Sequence, residues 1–134
     1  METAATRQLI ETYYETLKTG DRDRLAALFT DDVEMFPPES AGLDVVRGPE
    51  ALAAAMGGDL PRKMFRMRTF QLTIRHMTVE GDTAVVQQAI SAQTRDDQQY
   101  DNEYCWVYTC RDGKISRIVE YADTHKAAAI MGWD

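Results

Sequence analysis

"YYETLKTGDRDRLAALFTDDVEMFPP", residues 13–38, changes its periodicity twice, and those changes decide the fold. Leu9, Tyr13 and Leu17 recur every four residues, with Ile10 and Tyr14 beside them, which is the pattern of an amphipathic helix. Gly20 fits a left-handed C-terminal cap, and Asp21 opens a shorter helix with Leu25, Leu28 and Phe29 as its apolar positions. "VEMFPP" then reads as a short strand stopped by Pro37–Pro38.

Outward from that stretch, residues 39–48 read as loop, and Pro49 begins a third helix over 49–56 that Gly57–Gly58 closes. Beyond it the period is two. Strands are expected over 64–77, 83–94, 101–110 and 115–122, with "EGD" at 80–82 and "RDG" at 111–113 as hairpin connections. The second connection is either a two-residue turn or a three-residue turn with Gly113 left-handed at a bulge, and the choice changes which residues face each other. The closing "DTHKAAAIMGWD" reads as a short helix or a docking tail. Helices followed by an antiparallel sheet, with no repeat and no linker, define an α+β domain over residues 1–134. A sheet wrapped around its helices encloses a cone, which suits a small molecule.

The 44% hydrophobic and 28% charged residues fit a globular protein with one core. A net charge of −7 without a concentrated basic field argues against nucleic acid, even at the densest basic stretch, Arg62, Lys63, Arg66, Arg68 and Arg75. No signal peptide and no long apolar run are present, so a cytoplasmic protein that does not meet the membrane is expected. Cys105 and Cys110, five apart on one expected strand, point to opposite faces and stay reduced. The two histidines, His76 and His125, are remote from both, so neither a metal site nor a cofactor is expected.

Three pieces, "YYETLKTGDRDRLAALFTDDVEMFPP", "VRGPEALAAAM" and "YCWVYTCRDGKISRIVEYADTHKAA", in this order, resemble the SnoaL-like polyketide cyclase and ketosteroid isomerase-like branch of the nuclear-transport-factor-2-like (NTF2-like) superfamily. The resemblance implies an NTF2-like cone, N-terminal helices packed in a strongly curved mixed or antiparallel β-sheet. It also implies a homodimer through the outer sheet face, which would cover Trp106, Tyr108 or Tyr121 there.

The resemblance transfers chemistry residue by residue. Tyr13 takes the place of the steroid isomerases' oxyanion-hole tyrosine, but Pro37 stands where their base belongs and Trp106 near their second acid. Against the limonene-epoxide hydrolases, "IVEYAD" puts Glu120 at the catalytic acid and Ile118 at a tryptophan, whereas Gln87, Gln88 and Ala89 replace their charged pair. The polyketide cyclases place an acid on the last strand, which Glu120 or Asp123 supplies, with a histidine on the neighbouring strand that this chain lacks.

Alternation puts Ile118, Glu120 and Ala122 on one face and Val119, Tyr121 and Asp123 on the other. Glu120 buried among Trp106 and Tyr104 would hold its proton more tightly and suit acid–base work, while pairing across the sheet is the plainer role. Asp123 has a competing role as cap of the last helix. Tyr13 or Tyr14 would donate to a developing oxyanion, or simply pack. Met35, Met56, Phe36 and Ile118, with Tyr104 and Trp106, are the expected substrate wall, in a chain where Met64, Met67, Met77, Phe65 and Phe70 add adaptable apolar bulk.

The leading expectation is a cofactor-independent isomerase, cyclase or dehydratase for a hydrophobic oxygenated carbonyl compound of polyketide or steroid type. Its residues would be Glu120, Asp123, Tyr13 and Tyr14. The alternatives are a non-catalytic binding or dimerisation domain and an epoxide-hydrolase-like enzyme with an altered catalytic set.

Overall fold

Helix α1 (Thr3–Thr19) buries Leu9, Ile10, Tyr13 and Tyr14 along one face and stops where Gly20 turns left-handed at φ 70°. Asp21 accepts a bond from the Arg24 amide and so starts α2 (Arg22–Ala26). Strand β1 (Phe29–Phe36) follows, then a turn of 3-10 helix, the short β2 (Val46–Arg47), α3 (Pro49–Met56) and α4 (Asp59–Met64). The long strands β3 (Gln71–Glu80), β4 (Thr83–Gln93), β5 (Gln99–Arg111) and β6 (Lys114–Ala122) complete the sheet, and α5 (Thr124–Met131) closes the chain. These elements come from a computed structural model that describes residues 1–132, so the final Trp133 and Asp134 of the expected tail lie outside the described residues. Among the described residues no helix is long and apolar enough to cross a membrane.

The six strands run in the order β2-β1-β6-β5-β4-β3, with β1 parallel to β6 and every other pair antiparallel. One face of this mixed sheet wraps the helices. Its β5 contribution is Tyr100, Asn102, Tyr104, Trp106, Tyr108 and Cys110, all buried, while Cys105 and Val107 alternate to the other side. Trp106 and Tyr108 therefore belong to the inner face, not the outer one. Of the three aromatics expected outside, only Tyr121 is there, 58% exposed.

The strand expected over 64–77 is shorter. Gly58 is left-handed, Asp59 and Pro61 occupy the first turn of α4, and a second 3-10 turn spans Met67–Thr69. Phe65 and Phe70 leave the alternating pattern because both pack with Tyr100 in a separate small core, Phe65 ring-to-ring at 5.3 Å.

The β5–β6 hairpin resolves its open choice. Arg111 pairs with Lys114 across Asp112–Gly113, both with positive φ, which makes a two-residue turn. The bulge lies further along, where Cys110 pairs with Ile115 but Thr109 with Arg117, leaving Ser116 as the extra residue.

Candidate active site

That bulge decides which acid faces inward. Without it, Ile115 and Glu120 would sit on opposite faces, since an odd spacing separates them. With Ser116 inserted, the buried Ile115 and Ile118 share the inner face with Glu120, directly across from Trp106 on β5. Asp123 falls just beyond the strand, where it is exposed and its carboxylate accepts the Lys126 amide at 3.2 Å as the cap of α5. The two acids thus divide their work: Glu120 faces the interior and Asp123 starts a helix.

Glu120 opens into a cavity of about 410 Å³ bounded by α1, the loop after β1, α3, α4, α5 and the inner sheet face. Met35 and Met56 line it as expected of a substrate wall, together with Tyr104 and Trp106. Two other expected wall residues do not reach it. Ile118 is fully buried in the core beside it, and Phe36 alternates outward, where the Arg117 guanidinium covers its ring at 4.6 Å. A wider cleft of about 940 Å³ between α1, α4 and β3 shares Tyr14, Leu17, Met56 and Phe70 with the cavity, so the two adjoin.

Burial alone pushes the Glu120 carboxyl up to about 7, because no neighbouring cation or donor among the described residues offsets the loss of water around its charged form. The tyrosines around it are held protonated. Burial raises Tyr13, Tyr14, Tyr104 and Tyr108 well above the ordinary phenol range, and the charge of Glu120 adds to the effect on Tyr104. They are hydrogen-bond donors at any physiological pH, never bases.

The hydroxyls fall into two groups. Toward the closed end of the cone, Tyr14 Oη and Tyr108 Oη bond each other at 2.7 Å, and Tyr13 stacks edge-on against both rings. Tyr13 Oη is enclosed without a hydrogen-bond partner, close enough to Tyr108 to influence it. The Tyr13 side chain nonetheless borders the cavity. The steroid-isomerase position thus holds a tyrosine packed against Tyr14, Phe29 and Tyr108, with its hydroxyl unpaired. Toward the other end, Tyr100 Oη and Tyr104 Oη lie 2.7 Å apart, and Asn102 Nδ2 donates to Tyr100 Oη at 2.7 Å and to the Asp123 carbonyl at 3.1 Å. Since Asn102 fills a lone pair on Tyr100, Tyr100 can donate to Tyr104 and leave the Tyr104 proton free for a ligand oxygen.

Sequence reasoning missed two polar members of the lining. Gln88 is buried on β4 opposite Tyr104, on the inner stripe Ala84, Val86, Gln88, Ile90. A glutamine on a stripe of apolar residues at period two was the signal. Asp44 stands exposed on the loop before β2, where no periodicity marks it. Gln87 points outward and Ala89 carries no charge, so the altered epoxide-hydrolase set is reduced here to Glu120 and a neutral Gln88.

A family model for the SnoaL-like domain matches residues 10–118. The chain belongs to the SnoaL-like family, within the NTF2-like superfamily. Solved structures agree on the fold. An NTF2-like protein from Burkholderia xenovorans LB400 is 21% identical over 97% of this chain and 98% of its own, with a TM-score of 0.80. A candidate SnoaL-like polyketide cyclase from Jannaschia sp. CCS1 is 20% identical over 92% of each chain, TM-score 0.73. A candidate ketosteroid isomerase from Kribbella flavida DSM 17836 is 22% identical over 90% of this chain and 78% of its own, TM-score 0.67. No curated protein matches the chain significantly. The SnoaL-like cone is thus shared with proteins linked to different reactions, and the chemistry rests on its own side chains.

Proposed function

We propose that this SnoaL-like domain is a cofactor-independent acid–base enzyme acting on a hydrophobic oxygenated small molecule that carries a carbonyl group. The supporting observation is the largely buried carboxyl of Glu120 in an apolar cavity, without a partner among the described residues and with its proton affinity raised to about 7. As carboxylate, Glu120 takes a proton from the carbon next to the carbonyl. The electron pair moves to the carbonyl oxygen, where the Tyr104 hydroxyl stabilises the developing negative charge. Return of the proton to another carbon gives isomerisation, and attack of the enolate carbon on a second carbonyl gives cyclisation. The proposal includes a cytoplasmic homodimer joined through the outer sheet face, where the exposed Tyr121 would be covered.

Exchange of α-protons for deuterium in a panel of cyclic ketones, followed by NMR, tests the proton transfer without knowledge of the natural product. The wild-type chain is expected to exchange at least one ketone, with a rate that rises as pH passes about 7. Glu120→Gln should lower that rate by on the order of a thousandfold. Equal rates in the two proteins would refute the role of Glu120. A non-catalytic binding domain is the second reading, favoured by the mutual bond of Tyr14 and Tyr108, which ties these two hydroxyls to each other. It predicts ketone binding with no exchange at any pH.

A further inference from the structure

The titratable groups around the cavity share one property. Tyr13 and Tyr14 come from α1, Asp44 from the loop after β1, Tyr104 and Tyr108 from β5, and Glu120 from β6; α3, α4, α5 and the inner faces of β1 and β4 add none. Among the described residues no lysine, arginine or histidine reaches the lining. Arg47 pairs with Glu34, Arg66 with Asp97, Arg75 with Glu103, and Arg117 covers Phe36, while Lys18, Arg24 and Arg62 line the adjoining cleft and not this cavity.

We propose that the cavity selects its ligand by charge, rejecting anions, admitting neutral molecules, and binding apolar amines most tightly through an ion pair with Glu120. The proposal rests on the reading above only in taking Glu120 to face a ligand; it does not require turnover. An anion entering this space would meet a desolvated carboxyl at its inner wall and Asp44 on its loop, with no cation to compensate either. A neutral ligand can accept a hydrogen bond from Glu120 in its protonated form. An ammonium group does more. It supplies the counter-charge that the carboxylate lacks, in a wall that includes the Trp106 and Tyr104 rings, stacked at 15° with centroids 6.0 Å apart. A cavity of about 410 Å³ fits a skeleton of a few fused rings.

Naphthylmethylamine, naphthylmethanol and naphthoate share one skeleton and differ in charge, so titration calorimetry of the three tests the proposal. At about pH 8.5, where Glu120 is ionised, the amine should bind roughly tenfold or more tighter than the alcohol, and naphthoate should not bind measurably. At about pH 6 the carboxyl is mostly protonated, so amine binding should release close to one proton, seen as a heat that depends on the buffer's ionisation enthalpy. The alcohol should release none. Glu120→Gln should erase the amine's advantage while keeping the alcohol, whose retained binding reports an intact fold. Naphthoate binding as well as the alcohol, an amine advantage that survives in Glu120→Gln, or no binding by any of the three would overturn the proposal. Loss of ketone exchange with the charge ranking intact would instead remove only the catalytic reading.

Discussion

The two tyrosine pairs of the cone use the same bond for different ends. Tyr14 with Tyr108 and Tyr100 with Tyr104 both place their hydroxyl oxygens 2.7 Å apart. At the first pair the rings interlock with Tyr13 and Phe29, and the bond uses polar atoms that would otherwise be buried unpaired. At the second, Asn102 feeds the pair from behind and Tyr104 stands against the cavity and within reach of the charge on Glu120. Hydrogen-bond length does not separate a packing tyrosine from a functional one. On the proposed reading what does is Asn102, which leaves the Tyr104 proton as the spare one, whereas Tyr14 and Tyr108, which also border the cavity, have no such neighbour to fix the donor.

Substitution at the closed end should therefore act on stability. Tyr108→Ala removes a fully buried ring and leaves Tyr14 Oη without its partner. A loss on the order of 3–5 kcal/mol is expected in denaturant unfolding. A loss below about 1 kcal/mol would mean that this end is as loosely packed as the cavity end.

Glu120 should give the next effect, and its sign is unusual for a carboxyl. Its folded-state value is raised from 4.5 to about 7, so the folded state binds the proton more tightly than the unfolded chain. Its contribution is fully present below about pH 4.5 and is lost as pH rises through about 7. The full swing is on the order of 3 kcal/mol at 1.36 kcal/mol per unit. Unfolding free energies at about pH 5 and pH 8 should differ by more in the wild type than in Glu120→Gln, which should be the more stable protein at pH 8. A pH dependence unchanged by the substitution would place the carboxyl in water.

Most of this architecture was legible before the structure. The helix–cap–strand grammar of residues 13–38 predicts α1, α2 and β1 because periodicity and caps are local properties, but α2 ends at Ala26 and Phe29, expected on the helix, opens the strand. The alternation in "YCWVYTC" likewise predicts β5, although not its orientation, since alternation sorts residues into two faces without saying which is inside. The expected dimer face put Trp106 and Tyr108 outside, although Trp106 was also expected in the substrate wall, where it lies. Residues 64–70 misled because their apolar residues serve a separate small core, a tertiary fact that no window of sequence contains. The inward turn of Glu120 depends on the Ser116 bulge, which strand pairing sets.

A smaller effect is expected at the open end. Tyr104→Phe removes the donor proton while keeping the ring beside Trp106. Ketone exchange should fall by roughly ten- to a hundredfold, with the unfolding free energy changed by less than about 1 kcal/mol. Tyr14→Phe, the matching change at the closed end, should do the reverse, lowering stability and sparing exchange. If both variants lose exchange equally, the distinction between the two pairs does not hold.

The smallest effect belongs to Asp123, and it separates two acids only three residues apart. Its carboxylate accepts the Lys126 amide and its carbonyl accepts from Asn102, so the side chain serves α5 while the backbone serves the Tyr100–Tyr104 pair. Asp123→Ala removes the cap but keeps that carbonyl. It should cost about 1 kcal/mol of stability, the ordinary value of an N-cap, and leave exchange and its pH midpoint unchanged. Asp123→Asn should recover most of the loss, because an amide oxygen caps nearly as well as a carboxylate. A catalytic Asp123 would behave in the opposite way: the asparagine variant would keep stability and lose the reaction, and the role assigned to Glu120 would then have to be shared.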